Sequence, residues 1–310
     1  MNRYVVIMVW SVVMIPLTGA FGQGCSDAGF CSVGSFKHNP VDSLRATTIQ
    51  LTLPFGIGDD DVKIFTPAIQ YDHQFSYRWG IQVKVTGNHA SGNLGTANGP
   101  GDLYLAGIHS IALAGNWKAS FMAAWKFPLS RSALNMDGMD LPMVYQSSLG
   151  TVDLISGLSL TNNSWAFSLG WQHPLTAANR NNFSARDWDT PEADAYPETK
   201  DFSRKGDVLL RATYTTQISS AWTIQGGFLN IYHLSEDTYL DETGASSQRR
   251  AIAGSKGLTV NISGTVWMTI TSGLKAGLTA AAPLAARDAR PDGLTRSFVL
   301  SPELQWRIGQ

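Results

Sequence analysis

The chain has 310 residues, a formal net charge of −1 and only 15% charged residues, with 10 Trp, 13 Phe and 9 Tyr. That balance excludes a nucleic-acid binder working through a basic face. Mean hydropathy is −0.06. No apolar run of about 18 residues follows the N-terminus, which excludes a bundle of membrane-spanning helices. A strand that alternates between lipid and lumen has unremarkable average hydropathy, so a membrane barrel stays compatible.

Residues 1–22 read as an export signal. Arg3 supplies a short positive region, Tyr4 to Leu17 is mostly apolar but too short to span, and Ala20-Phe21-Gly22 places small residues around a cleavage site. The mature chain then starts at Gln23. Lipidation at Cys25 is the alternative, on a weak Gly22-Gln23-Gly24 approach. Residues 23–46 carry the only cysteines, Cys25 and Cys31. In an oxidising compartment a disulfide between them is expected, and the segment is expected to plug part of the periplasmic mouth. The spacing is not C-x-x-C and no His cluster accompanies it, so no metal or cofactor is implied.

From residue 47 to 310 the pattern predicts about twelve antiparallel strands of an all-β, up-and-down transmembrane barrel. Thr48 to Phe55 puts Ile49, Leu51, Leu53 and Phe55 on one face. A weaker strand lies near Lys63 to Asp72. Tyr77 to Thr86 opposes Trp79, Ile81, Val83 and Val85 to Arg78, Gln82 and Lys84. After a weaker strand at Asp102 to Leu113, the alternation is cleanest from Asn116 to Phe127. There Trp117, Phe121, Trp125 and Phe127 oppose Lys118, Ser120, Met122 and Lys126. A weaker strand at Ser148 to Leu160 precedes Ser164 to Gln172, where Trp165, Phe167, Leu169 and Trp171 share a face. Asp207 to Gln217, Trp222 to Tyr232, Leu258 to Met268, Leu274 to Ala280 and Ser297 to Ile308 complete the set. Trp222 and Tyr232, at ~3.3 Å per residue and a tilt of ~40°, stand roughly 25 Å apart, the height of a lipid-facing band between aromatic girdles.

The connections alternate in length. Short ones fall at 74–76, 114–115, 160–163, 218–220 and 270–272; long ones fall at 88–101, 128–147, 174–205, 234–255 and 282–295, with a brief outer connection at 56–61. This one-sidedness predicts short periplasmic turns, long extracellular loops and both ends of the barrel on the periplasmic side, in the bacterial outer membrane. The expected partners are outer-membrane lipid, a small-molecule solute and, during insertion, the barrel-assembly machinery. A monomer is expected.

Gly99-Pro100-Gly101-Asp102-Leu103-Tyr104-Leu105 and its echo Gly206-Asp207-Val208-Leu209-Leu210 lead loops back into strands. With the barrel pattern, this motif resembles the outer-membrane proteins of the phenol-degradation meta-pathway, grouped with the FadL-like hydrophobic-compound transporters. The start Gly24-Cys25-Ser26-Asp27-Ala28-Gly29-Phe30-Cys31 is similar to exported barrels of Bacteroidetes-type Gram-negative bacteria. The resemblance implies passive uptake of a small hydrophobic or aromatic compound, without cofactor or catalysis.

Arg78, Lys84, Lys118, Lys126, Asp153, Arg211 and Lys275 fall on predicted lumen faces, joined by Asp207 and Glu303. They form either a wet basic wall that attracts anions or ion pairs that fill a narrow barrel. His89-Ala90-Ser91 places a base and a hydroxyl at i and i+2 of an extended strand, with Asn93 or Asn98 as a third partner. This resembles outer-membrane phospholipases and lipid A deacylases, and makes a lipid hydrolase the alternative function; a structural or adhesive barrel is another. The acids of 174–205 (Asp187, Asp189, Glu192, Asp194, Glu198, Asp201) lack the spacing of a calcium loop, and Trp188 and Tyr196 there are candidates for a lid. Met136, Met139 and Met143, beside Leu134 and Leu141, form either an apolar receptor at the outer mouth or a packed constriction.

Overall fold

The computed structural model describes residues 47–294 and 296–308. The export signal, the 23–46 segment and the Cys25–Cys31 disulfide lie outside the described residues.

Twelve antiparallel strands form one closed barrel. We number them β1 (in two pieces, Thr47–Thr52 and Phe55–Ile57), β2 (Lys63–Phe65 and Ala68–Gln74), β3 (Trp79–Gly92), β4 (Gly95–Ala112), β5 (Lys118–Pro128), β6 (Asp153–Thr161), β7 (Trp165–Pro174), β8 (Asp207–Gln217), β9 (Trp222–His233), β10 (Gly257–Thr271), β11 (Leu274–Ala285) and β12 (Phe298–Ile308). Each pairs with its sequence neighbours, and β1 closes on β12 with Thr47 opposite Ile308 and Leu51 opposite Leu304. Closure removes the sheet edges, so the backbone groups of the ladder find partners on both sides without water. Pro54 interrupts β1 because it has no N–H to give the ladder. Leu53 N donates to Pro302 O (3.0 Å) and Thr66 N to Pro54 O (3.0 Å) across the break.

The alternation is inverted relative to a water-soluble protein. On β7, Trp165, Phe167, Leu169 and Trp171 are exposed, while Ala166, Ser168 and Gln172 between them are buried inside. An apolar exterior of this extent is a lipid-facing surface. Aromatics ring it at both heights, with Trp79, Trp165, Trp222 and Trp306 at the short-turn end and Trp125, Trp171, Tyr232 and Phe298 at the other. Three short turns share one device ahead of the first Trp of a strand. Ser76 Oγ accepts from Trp79 N (3.1 Å), Asn162 Oδ1 from Trp165 N (2.7 Å) and Ser219 Oγ from Trp222 N (3.2 Å).

One expected loop is strand. Residues 88–101 continue β3 and β4 as a hairpin with Ala90 opposite Ala97 and Gly92 opposite Gly95, turning at Asn93-Leu94. Its outward residues His89, Ser91, Thr96 and Asn98 stand above the apolar belt, so no apolar period marks them. Its inward residues Ala90, Leu94 and Ala97 are buried under the other outer loops. Those loops pack into two apolar clusters. One holds Val62, Leu141, Tyr145, Phe183 and Tyr196. The other draws Met143, Leu149, Phe202, Ile252 and Leu294 from four different loops.

Candidate functional site

Side chains opposite each other in an antiparallel ladder share a face, so register fixes which groups line the lumen. Lys84 lies opposite Gln70 and Tyr104, Lys275 opposite Gln305, Arg211 opposite Ser168, and Lys126 opposite Asp153. Arg78 instead falls in the turn before β3, exposed, and Lys118 is exposed at the same short-turn end. The wall between these cations carries amides and hydroxyls. Glu303 accepts from Gln50 Nε2 (2.6 Å) and from Thr279 Oγ1 (2.7 Å), and Asp72 accepts from Gln70 and Gln82 (2.7 Å each). Arg307, opposite Thr48, is a further lumen cation. The parity of β12 placed it there, yet it was missing from the expected pathway.

The outer part of the lumen is crossed by a strap. All nine residues from Leu141 to Leu149 are buried. Of the Met-rich loop, Met143 is packed within this buried stretch, while Met136 and Met139 are half-buried outside it. On one side Asn88 Nδ2 donates to Gln146 O (3.0 Å) and Ser148 Oγ to Asp102 Oδ1 (2.5 Å). A Cβ on Gly99 would meet Ser147 Oγ at 2.9 Å. The Gly-Pro-Gly-Asp motif is thus the seat of the strap: the glycine makes room and Asp102 anchors. On the other side Gly293, at φ +64°, lies so close that a Cβ would come within 2.5 Å of Val144 Cα. Gln146 clasps the loop internally, accepting from Leu134 N (2.8 Å) and donating to Leu134 O (3.0 Å) and Leu141 O (2.8 Å). Residues of 175–206 cover it from outside. Tyr196 OH meets Tyr145 OH at 3.3 Å, and Trp188 Nε1 donates to Asp140 O (3.0 Å). Burial, reinforced by the hydrogen bond to Tyr145, pushes the Tyr196 phenol far up, so it stays protonated.

Two ionic clusters stand beneath the loops. In the first, Lys126 Nζ lies 3.1 Å from Asp153 Oδ2 and 4.0 Å from Asp102 Oδ2, and donates to Thr151 Oγ1 (3.1 Å). Gln172 Nε2 donates to the same Asp153 carboxylate. In the second, Asp207 on β8 pairs with Arg204 (2.5 Å) and with His233 Nδ1 (2.6 Å), and His233 Nε2 lies 2.9 Å from Asp237 Oδ1. Arg287 Nη2 and Arg204 Nε reach Asp292 Oδ2 at 2.5 and 3.3 Å. All six are nearly or fully buried. Burial works to raise the Asp292 carboxyl, but Arg287 and Arg204 outweigh it and hold it well below the usual carboxylate range. The echo Gly206-Asp207 therefore serves as its counterpart does, with its carboxylate anchoring outer loops. Sequence reading missed this cluster, whose members are scattered from 204 to 292.

His89 and Ser91 do share a face, on the outside of the β3–β4 hairpin, with Asn98 opposite His89. The Ser91 hydroxyl lies 2.9 Å from Thr96 Oγ1, and no hydrogen bond to His89 is formed among the described residues. The acids of 174–205 are dispersed, with Glu198 accepting from Ser184 Oγ (3.2 Å). Among the described residues no group of three or more His, Asp or Glu is arranged to hold a metal ion.

No protein family matches the sequence, and neither does any curated protein. Among solved structures, the chain is similar to the NanC porin, with TM-score 0.49 and 10% identity over 84% of this chain and all of that one. It is also similar to the KdgM porin in complex with disordered oligogalacturonate, with TM-score 0.45, 7% identity and 84% of this chain and 99% of that one covered. A third likeness is to the CymD monoaromatic hydrocarbon channel, with TM-score 0.40, 10% identity and 94% of this chain covered against all of that one. Scores and identities this low add no weight of their own to the fold or to a function. The closed ladder, the apolar belt and its two aromatic girdles make the chain an outer-membrane β-barrel of porin-like architecture.

Proposed function

We propose that the barrel is a passive channel for small compounds, and that the favoured solute is an aromatic carboxylate. The observation that carries this reading is the charge of the lumen wall inward of the strap. Among the described residues on that face, the cations Lys84, Arg211, Lys275 and Arg307 outnumber the acids Asp72 and Glu303, and the wall around them carries amides and hydroxyls such as Gln50, Gln70, Gln82 and Thr279. A wall with surplus cations raises the local concentration of anions. The aromatic part of the reading rests on the outer mouth, where Tyr145, Phe183, Trp188 and Tyr196 pack together. A purely apolar solute would have to pass a polar wall and gains nothing from it.

The test is solute entry into liposomes carrying the refolded protein, with an aromatic acid, a long-chain fatty acid and a sugar in parallel. The aromatic acid should enter fastest, with entry slowed by salt. Equal entry of all three would reduce the protein to an unselective pore, and entry of the fatty acid alone would overturn the carboxylate-and-wall argument.

A further inference from the structure

We propose that His233 is a proton-operated latch: as imidazolium it fastens the outer loops to the barrel wall, and loss of its proton releases them. The inference supplies regulation to the channel proposed above, and rests on that reading for its effect on transport, though not for the latch itself.

The chemistry follows from which atoms face the ring. A neutral imidazole has one N–H donor and one acceptor lone pair, and only the imidazolium donates from both nitrogens. Here both nitrogens meet carboxylate oxygens, Asp207 at 2.6 Å and Asp237 at 2.9 Å, and His233 is 2% exposed. A neutral ring would turn a lone pair toward one of the two carboxylates, in a buried place where an unpaired polar group is costly. The surrounding charges are also balanced only with the proton present. Arg204 and Arg287 face Asp207, Asp237 and Asp292, so His233 is the third cation against three anions. Further off, Asp153 also acts on Arg204. Asp237 has little to spare: its Oδ1 also accepts from Lys205 N (2.8 Å), and its wholly buried Oδ2 accepts no hydrogen bond among the described residues, with Arg287 Nη1 3.8 Å away.

The partners come from separate loops. Asp207 and His233 end β8 and β9 on the wall. Arg204 belongs to 175–206, Asp237 to 234–256, and Arg287 and Asp292 to 286–297. Asp237 N donates to Ser255 Oγ, and Arg287 Nη1 to Ser255 O (2.8 Å each), which ties the second and third loops together. The third loop then touches the strap, backbone against backbone, at Gly293 and Val144. Deprotonating one ring thus unbalances the contacts that seat three loops and, through them, the constriction.

The experiment uses the full refolded chain in nanodiscs, between about pH 5 and pH 9, the span in which imidazole chemistry is accessible. Hydrogen exchange of 200–206, 234–256 and 286–297, corrected for intrinsic rates, should rise with pH by roughly ten- to a hundredfold, the scale of one charge-assisted hydrogen bond lost. Exchange in β3–β5 should not change. His233→Asn should show fast loop exchange at every pH. Asp237→Asn, whose amide oxygen still accepts from Lys205 N and from an Nε2–H but carries no charge, should move the onset of loop opening to lower pH. Nitrogen NMR of His233 should report both ring nitrogens protonated in the closed state. Flat loop exchange in the unmutated protein, or a neutral ring with the loops closed, would overturn the latch. A pH-dependent loop exchange in a protein that passes no solute at any pH would instead keep the latch and sink the channel.

Discussion

Lys126 and Asp153 face each other across β5 and β6 with Nζ and Oδ2 3.1 Å apart, and neither side chain has any exposure. Removing one partner strands the other as a buried charge. Lys126→Met is expected to cost about 3–5 kcal/mol, and Lys126→Met with Asp153→Leu to recover most of it. Urea unfolding midpoints of the refolded barrel in micelles measure both. A double variant as weak as the single one would mean that Thr151 and Gln172, rather than the ion pair, dominate the cluster.

The strap depends on Gln146, whose side chain holds three backbone groups of its own loop. Gln146→Ala leaves these without partners, at about 1–3 kcal/mol for each group that stays buried. Because the strap crosses the lumen, its loosening should raise single-channel conductance in planar bilayers while the barrel's unfolding midpoint changes little. Unchanged conductance would show that the strap is not the constriction.

Lys275 lies on the lumen face opposite Gln305, half-buried and two register positions from Glu303. Lys275→Glu reverses one of the surplus charges. The reversal potential under a salt gradient should move toward cation preference, by less at high ionic strength because the field is screened. Entry of an aromatic acid should slow in the same variant.

Asp292 sets the acid limit of the outer loops. Its folded pKa lies below the unfolded value of 3.8, since Arg287 and Arg204 overcome the effect of burial. A depressed carboxylate contributes stability that is fully present above its unfolded pKa and is lost as pH falls through the folded one. Protease protection of 286–297 should therefore persist at pH values slightly below 3.8 and fail only in stronger acid. In Asp292→Asn protection should already be weak at neutral pH, where Arg204 and Arg287 lack their shared anion. Loops opened in the unmutated protein at mildly acidic pH would contradict the assignment.

The strands were legible because lipid imposes a period of two. Trp165, Phe167, Leu169 and Trp171 could be assigned outward from sequence, and the five short turns fall within a few residues of their expected places. The Ser76, Asn162 and Ser219 turns carried a readable sign as well, a hydroxyl or amide three residues before Trp, that alternation alone did not bring out. Legibility failed above the belt. There His89, Ser91, Thr96 and Asn98 face water, so strand and loop look alike. The site was legible where it lies on strands, as with Lys84, Lys126, Asp153, Arg211 and Lys275. It was not where loops assemble it: Arg204, Asp237, Arg287 and Asp292 each read as ordinary polar loop residues, and only packing brings them to one histidine.

The seam between β1 and β12 is joined inside the barrel by Gln50 and Glu303, with Thr279 of β11 on the other carboxylate oxygen. A strand that slips by one residue exchanges its two faces. At this seam such a slip would send Glu303 and Arg307 into hydrocarbon and bring Leu304 and Trp306 to the lumen. Glu303, in mid-strand, would cost somewhat less than the roughly 2–4 kcal/mol of a basic residue at the bilayer midplane, and Arg307, beside the Trp306 girdle, about 0–1 kcal/mol. The last strand to zip therefore checks its own alignment, and a mispaired closure is rejected by the membrane itself.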